Sequence, residues 1–226
     1  MSRNKPKCIG IIMDGNRRFA KAKGVSVPEG HKAGFETFKS AIEWAKELGI
    51  EHLIAYCFST ENWKRNKLEI VALMHLLRVG FKEIKEKYSN SKEVKFNVIG
   101  NIKAFPKDIQ KMIEETNSSK QKTSLTIHLA LSYGGRDEIV RAARSAVQEE
   151  SLISEKNFAE HLDTKNVPDP DLIIRTGGEM RLSNFLIWQS VYSELFFTKT
   201  LWPAFTKEEF TSILQEYGKR KRNFGT

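Results

Sequence analysis

A chain of 226 residues, with 40% hydrophobic and 29% charged side chains, has the length and composition of one globular α/β domain. Its 37 Lys and Arg residues outnumber 28 Asp and Glu residues, which favours anionic partners such as nucleic acid, phosphorylated metabolites or an acidic membrane surface. No apolar run reaches the roughly 18 residues of a membrane span, and the polar first residues argue against a secretory signal, so we expect a cytoplasmic protein.

The pattern of apolar residues predicts alternating strands and helices along the chain. Strands are predicted at 8–13, 52–58, 94–99, 124–131, 172–174 and 195–197, and helices at 30–48, 67–88, 106–117, 137–149 and 206–222. Strands joined through helices form right-handed crossovers. We therefore expect a single domain over 1–226, with a mostly parallel sheet of about six strands flanked by helices. Ligands bind such sheets beyond the carboxyl ends of the strands.

The first predicted strand is followed by Asp14, Gly15, Asn16, Arg17 and Arg18. The glycine permits a tight turn, and the amides after it open a helix or turn, which is a common anion-binding position. The two arginines add charge for a diphosphate, and one carboxylate beside phosphate oxygens suits Mg²⁺. The alternative is a helix-capping aspartate followed by two solvated arginines.

Polar residues also follow the second and fourth predicted strands. After the second strand come Ser59, Thr60, Glu61, Asn62, Trp63, Lys64 and Arg65. Glu69 lies four residues after Arg65, so the two side chains could pair on one helix face. After the fourth strand, residues 132–138 contain two glycines before a helix. A capped helix start and a simple turn are the respective alternatives.

The fifth predicted strand is followed by the strongest local indication of a diphosphate site. Arg175, Gly177, Gly178, Arg181 and Ser183 combine two guanidinium groups, a hydroxyl and two flexible positions within nine residues of sequence. Guanidinium groups bind phosphate through two parallel hydrogen bonds. The segment therefore predicts a diphosphate clamp, with an ordinary surface loop as the alternative.

Residues 70–81 are apolar on nearly every helix face. Such a helix either belongs entirely to the core or borders a second apolar compartment, such as a tunnel for a lipid chain. The sequence contains no P-loop motif, no dinucleotide-binding glycine pattern after the first strand and no Cys/His set at zinc spacing. It also lacks the Asp-Asp-x-x-Asp motif of trans-prenyltransferases.

Six stretches together resemble the cis-prenyltransferase family over nearly the whole chain, from about residue 8 to residue 225. They are IIMDGNRRFAKAKG, GHKAG, FSTENWKR, SYGGRDEI, DLIIRTGGEMRLSNFLIWQSVYSELFFT and LWPAF, and they occur in the family's order. Several long motifs in one order are far more specific than any single cluster. The resemblance implies that isopentenyl diphosphate is condensed onto an allylic diphosphate.

The resemblance also implies a role for individual residues. Asp14 matches a carboxylate for Mg²⁺ and diphosphate, and with Asn62 it is expected to be catalytic. The allylic substrate is expected at Gly15, Asn16, Arg17, Arg18, Phe19 and His31. Ser59, Thr60, Glu61, Trp63 and Arg65 are expected between the two substrates, and Arg175, Arg181 and Ser183 at isopentenyl diphosphate. Glu194 matches an acid that completes the metal site of the partner chain in a homodimer, and residues 222–225 match a segment that reaches the neighbouring site.

The expected reaction uses farnesyl diphosphate and Mg²⁺ and gives undecaprenyl diphosphate, a lipid-carrier precursor for cell-wall polysaccharide. We also expect peripheral membrane contact during product release and no nucleic-acid partner. By resemblance, Leu125 lies near the closed end of the tunnel. Two alternatives stay open: a non-catalytic partner subunit of the same fold, and a basic RNA-binding domain suggested by the charge of +9.

The sequence departs from the family pattern at four positions around the allylic site. Arg17 stands where the family usually has Gly, and Phe19 where it usually has Trp. Val27 replaces an Arg of many bacterial members, and Ser132 replaces a frequent Asn. The charge of Arg17 is a candidate substitute for the one missing at position 27.

Overall fold

A computed structural model describes residues 5–119, 121–149 and 154–220. Its strands are β1 (Cys8–Ile12), β2 (His52–Ser59), β3 (Val94–Ile99), β4 (Leu125–Tyr133), β5 (Leu172–Arg175) and β6 (Glu194–Phe197). They form one six-stranded sheet in the order β3-β4-β2-β1-β5-β6, and every neighbouring pair is parallel. The predicted fold class is therefore confirmed.

Seven α-helices cover the sheet in the described part of the chain. They are α1 (Asn16–Lys23), α2 (Val27–Glu47), α3 (Lys67–Tyr88), α4 (Lys107–Asn117), α5 (Gly135–Gln148), α6 (Glu155–Ala159) and α7 (Lys207–Tyr217). The predicted helix at 30–48 begins three residues earlier than expected, because Ser26 and Glu29 form a capping box there. The last helix ends at Tyr217, and the residues of the predicted helix beyond 220 lie outside the described range.

Two of these helices were not predicted. In α1, only Ala20 is buried, so the apolar period that marks a longer helix is absent. The ends of α1 are set instead by Gly15 and Gly24, which both adopt left-handed backbone angles. The short helix α6 has five residues, none of them buried.

The core has two layers because the sheet is covered on both faces. The larger cluster packs one face against α2, α3, α4 and α7, with Phe38, Phe81, Ile113 and Phe210 among its buried residues. The smaller cluster, on the other face, includes Tyr133, Phe185 and Leu186. β4 is buried at all nine positions, as expected of a strand covered on both faces.

β1 lies at the point where the strand order reverses. Ile12 pairs with Tyr56 of β2 on one side and with Arg175 of β5 on the other. The carboxyl ends of these three strands therefore open into one crevice, the usual ligand position in a doubly wound sheet. Among the described residues, no helix is both long and apolar enough to span a bilayer.

Candidate active site

Asp14 lies at the centre of the crevice and is held by both its backbone and its side chain. Its carbonyl oxygen accepts hydrogen bonds from the Thr176 hydroxyl at 2.8 Å and from the Trp202 amide at 3.0 Å. Its carboxylate lies 2.9 Å from the guanidinium of Arg175 and 3.1 Å from that of Arg18. The side chain nevertheless keeps 30% of its surface exposed, so the carboxylate is fixed yet open to a ligand.

Arg175 is the buried element of the site. It is 4% exposed, and its second amino group donates to the Arg181 carbonyl at 2.5 Å and to the Ser183 hydroxyl at 2.6 Å. Its Nε is buried without a hydrogen-bond partner among the described residues. Ser183 and Asn184 both have positive φ, 50° and 66°, which is uncommon outside glycine and typical of functional turns. The loop after β5 is thus shaped around the guanidinium group.

The turn between β1 and α1 leaves no room for a side chain at Gly15. Its φ is 119°, and a Cβ there would lie 2.9 Å from the Cα of Leu201. The turn places the first amides of α1 beside the crevice, where the helix dipole favours an anion. Asn16 adds a side-chain oxygen that is buried without a hydrogen-bond partner in the structure. Arg17 and Arg18 are exposed, and Phe19 is half-buried.

His31, Glu69 and Arg65 form a hydrogen-bonded group on the other side of the crevice. The carboxylate oxygen Oε1 of Glu69 lies 3.2 Å from His31 Nε2 and 2.8 Å from Arg65 Nη1. The predicted Arg65–Glu69 contact is present, but the expected helix face is wrong, because Arg65 lies before the Asn66 cap of α3. Burial lowers the pKa of His31, although its bond to Glu69 opposes the shift, so the imidazole is neutral near pH 7. Burial alone would raise the pKa of Glu69, but His31 and Arg65 outweigh it and keep the group ionised.

The polar residues after β2 form a 3-10 helix at Thr60–Lys64. Asn62 accepts a hydrogen bond from the Ser59 amide at 3.1 Å, which fixes its side chain at the crevice. Trp63 turns inward and donates to the Ser132 hydroxyl at 2.9 Å, so that Ser132 supports the aromatic ring. Glu61 accepts from Asn184 Nδ2 at 2.9 Å, which connects this segment with the loop after β5.

An apolar cavity continues from the polar crevice between α2, α3 and the sheet. The shared lining residues are Met13, Asn16, His31, Tyr56, Cys57 and Leu73. Farther inside, the walls are apolar and include Phe35, Leu77, Phe81 and Leu129. A charged headgroup and an apolar tail therefore have adjacent compartments.

The structure places nine of the predicted residues at this crevice. The polar part is lined by Asp14, Asn16, His31, Ser59, Glu61, Asn62, Arg65, Arg175 and Ser183. Seven other predicted residues do not line it: Gly15, Arg17, Arg18, Phe19, Thr60, Trp63 and Arg181. Arg181 has a 61% exposed side chain that pairs with Glu179 at 2.5 Å. Tyr56 also lines the crevice, and its hydroxyl donates to the carbonyls of Tyr133 and Ser183. It was not predicted, because nothing in an apolar strand marks a tyrosine as functional.

Two other expectations concern residues away from the crevice. Glu194 pairs with Leu172, which pairs in turn with Ile9, so these three residues lie at the same level in the sheet. Ile12 lies three residues, or about 10 Å, farther along the strand direction. Within one chain Glu194 therefore does not approach Asp14, and it pairs with Arg220 at 2.6 Å. Leu125 is fully buried in the core on the same face of β4 as Leu129, but it does not line the cavity. Residues 222–225 lie outside the described range.

A magnesium ion fits this donor set only together with a substrate. Among the described residues, no three His, Cys, Asp or Glu side chains converge on one point. Asp14 nevertheless offers a fixed, partly exposed carboxylate beside an anion-binding helix end. Mg²⁺ commonly binds through one or two carboxylates, substrate phosphates and water. The residues present are thus compatible with a metal that enters with a diphosphate.

Comparison with known proteins gives consistent matches along almost the entire chain. The prenyltransferase family model that describes undecaprenyl diphosphate synthases matches residues 12–225. An isoprenyl transferase of Aquifex aeolicus is 44% identical over 227 aligned residues, which cover 100% of this chain and 98% of that protein. An isoprenyl transferase of Thermotoga maritima is 42% identical, with 97% of each chain covered.

Two crystal structures extend the likeness to the fold. A probable undecaprenyl diphosphate synthase from Campylobacter jejuni is 36% identical with a TM-score of 0.84, covering 99% of this chain and 100% of its own. Lavandulyl diphosphate synthase from Lavandula x intermedia, solved with dimethylallyl diphosphate, is 36% identical with a TM-score of 0.88, covering 98% of this chain and 99% of its own. This chain therefore belongs to the undecaprenyl diphosphate synthase family of prenyltransferases.

Proposed function

We propose that the protein adds isopentenyl diphosphate units to farnesyl diphosphate and releases undecaprenyl diphosphate, the precursor of a lipid carrier for cell-wall polysaccharide. The observation that carries the proposal is the direct continuation of the Asp14–Arg175 crevice into an apolar cavity. A prenyl diphosphate has this same division into a polyanionic head and an apolar tail. The family membership supports the reaction class, and the residue roles below are our assignment.

The allylic diphosphate is assigned to the amides of Gly15 and Asn16 and to Arg17, Arg18 and His31, with Phe19 beside the headgroup. The first turn of α1 provides donors that need no rearrangement as negative charge develops on the leaving group. A neutral His31 supplies a hydrogen-bond donor without a full charge, since Glu69 fixes its ring. These groups stabilise diphosphate as it departs from the allylic carbon.

Isopentenyl diphosphate is assigned to Arg175, Arg181 and Ser183. Arg175 is already fixed by its neighbours, so little side-chain freedom is lost when a substrate binds. Arg181 is exposed and can turn toward a diphosphate from its contact with Glu179. Holding both substrates at attack distance converts their reaction into an effectively unimolecular step.

The segment after β2 is assigned to the space between the two substrates. The Ser59 amide holds the oxygen of Asn62, which leaves the Asn62 amide group to donate to a substrate oxygen. Ser59, Thr60, Glu61 and Arg65 surround it, and Trp63 gives the segment an apolar anchor. We assign Asn62 and Asp14 as the catalytic residues of this site.

Mg²⁺ would be held by Asp14, together with Glu194 of a second copy, and would neutralise charge on the departing diphosphate. A homodimer is supported by the exposed apolar residues near the β6 edge. Val191, Tyr192 and Leu195 lie at or just before β6, with exposed fractions of 71%, 72% and 37%. Apolar clusters of this kind at a sheet edge are typical of interfaces.

Release of a long apolar product favours contact with a membrane surface. Leu68 and Val71, at the start of α3, are exposed and lie beside Lys64 and Lys67. This combination of apolar and basic side chains suits the interface of an anionic bilayer. We place this contact at the cytoplasmic face of the membrane, with no role for nucleic acid.

Incubating the purified protein with farnesyl diphosphate, labelled isopentenyl diphosphate and Mg²⁺ tests the proposal. Chromatography of the extracted products should give a ladder that ends at undecaprenyl diphosphate. A parallel reaction with dimethylallyl diphosphate tests a shorter starter. Absence of condensation with either starter would instead favour a non-catalytic partner subunit.

A further inference from the structure

A second apolar space lies between α3 and α4, which we call the α3–α4 groove. Its volume is about 930 Å³, compared with about 130 Å³ for the cavity that adjoins the crevice. Phe81, Phe96 and Met112 line its buried side, and the ring of Tyr88 packs on Phe96 with 5.1 Å between centroids. None of the predicted site residues lines this groove.

The cavity and the groove share a wall. Phe81 and Ile84 of α3 line both spaces, so the side chains of these two residues lie between the cavity and the groove. Phe81 is 4% exposed and Ile84 is half-buried. Rotation of these two side chains would connect the spaces without moving a strand.

The cavity is too small to hold a long prenyl chain. An apolar cavity of about 150 Å³ accommodates one benzene, so 130 Å³ provides room for roughly six carbon atoms. A farnesyl group is already larger, and each condensation lengthens it. By the same comparison the groove has room for about six benzene-sized groups. The space needed for later additions is therefore present behind the shared wall.

Two ion pairs tie α3 to α4 at the groove. Arg78 Nε lies 2.5 Å from Asp108 Oδ2, and Lys85 Nζ lies 2.9 Å from Glu115 Oε2. The aliphatic stems of these long side chains add apolar surface while their charged ends stay in water. These four charged groups are thus already paired with each other, and an apolar chain can occupy the space beneath them.

We propose that the distal end of the elongating prenyl chain passes the Phe81–Ile84 wall and occupies the α3–α4 groove. This inference rests on the proposed elongation reaction. If the tail enters the groove, the groove is a binding site for the distal part of the product. Residues of α4, which lie away from the diphosphate site, then help to determine product length.

Filling the groove tests the proposal. Thr116 lines the groove but not the cavity, whereas Glu114, on the same helix, is exposed and lines neither. With farnesyl diphosphate, labelled isopentenyl diphosphate and Mg²⁺, Thr116→Trp should lower the share of full-length product at least tenfold, while short products accumulate. The matched Glu114→Trp variant should give the wild-type distribution. A wild-type distribution from folded Thr116→Trp overturns the proposal.

A second measurement does not depend on tolerance of the bulky side chain. The Thr116→Cys variant is treated with N-ethylmaleimide, and labelling at position 116 is followed by peptide mass spectrometry. Elongated product on the enzyme should slow labelling at least tenfold relative to farnesyl diphosphate alone. Equal rates overturn the groove assignment. If the wild type forms no elongated product, it is the proposed function that fails.

Discussion

The guanidinium of Arg175 donates to the carboxylate of Asp14 at 2.9 Å, so a largely buried ion pair joins the end of β1 to the end of β5. Asp14→Ala removes the carboxylate assigned to metal and diphosphate, and we expect turnover to fall by about two to three decades. Arg175 keeps Arg181 and Ser183 as partners, so the loss of unfolding free energy should be only about 1–3 kcal/mol. Steady-state kinetics and chemical denaturation measure the two effects. Near-normal turnover of the folded variant would contradict the assignment, as would full activity of the wild type in EDTA.

Arg181→Ala tests the isopentenyl diphosphate site with little disturbance of the fold, because this side chain is exposed. Loss of one charge-assisted bond costs roughly 1.5–3 kcal/mol, which predicts a KM for isopentenyl diphosphate raised by one to two decades. The KM for farnesyl diphosphate should change much less. A selective rise in the farnesyl KM would mean that the two substrate sites are interchanged. Arg175→Ala should show the same selectivity with an additional loss of stability, since Arg175 is buried.

The buried imidazole of His128 should lower the free energy of unfolding in acid. Burial lowers its pKa to about 3, assisted by the neighbouring His52 and Lys95. In the unfolded chain His128 therefore binds a proton near pH 6.5, whereas in the folded chain it stays neutral until the pH approaches 3. The free energy of unfolding consequently decreases as the pH falls from about 6.5 toward 3. The slope due to His128 should approach about 1.4 kcal/mol per pH unit in that window. Urea unfolding of His128→Asn at pH 7 and pH 5 should give a smaller difference than the wild type. An equal difference would contradict the prediction.

Complementation between chains tests the role of Glu194. Asp14→Ala and Glu194→Ala homodimers should each have little activity, because neither has a complete site. After subunit exchange, half of a random mixture is mixed dimers with one intact site of two, which restores about a quarter of wild-type activity. Assays before and after exchange, with sedimentation to establish the oligomer, measure this. A fully active wild-type monomer, or no recovery on exchange, would refute a shared site.

Alanine substitutions at Leu129 and Leu125 should distinguish an effect on product chain length from an effect on core packing. Leu129 lines the cavity, whereas Leu125 lies farther along the same strand face in the core. Leu129→Ala should lengthen the product distribution, since it enlarges the space that receives the tail. Leu125→Ala should cost about 2–5 kcal/mol of stability with a smaller change in products. Product chromatography and denaturation decide between them. Longer products from Leu125→Ala alone would restore Leu125 as the closed end of the cavity.

Some elements could be predicted because local sequence determines them. The bounds of α3 agree with its apolar pattern, and Asn66 caps its first turn. The departures at strand ends are of one or two residues, and Tyr133 lies two residues beyond the predicted end of β4, where pairing with β2 extends the strand. By contrast, α1 has too little buried surface to show a period, and glycines determine its limits.

The sequence predicted nine of the residues that line the crevice, but not the contacts among them. Arg65 and Glu69 are four residues apart, and their predicted pairing is present, but Arg65 lies in extended backbone before the cap of α3 rather than on its helix face. The contact between Glu61 and Asn184 joins residues far apart in the chain and depends on how two loops meet. The inward turn of Trp63 depends likewise on Ser132, whose positive φ of 47° no local pattern predicts.

The position of β1 between β2 and β5 has a consequence for biosynthesis. Cys8–Ile12 emerges from the ribosome before its neighbour Leu172–Arg175, which is translated some 160 residues later. Until then one side of β1 has no strand to pair with, and Asp14 has no Arg175. A nascent chain can therefore assemble β1 to β4 while the proposed site for the two diphosphates is still incomplete. We therefore expect a translation product that stops before Leu172–Arg175 to be inactive rather than merely a weaker catalyst.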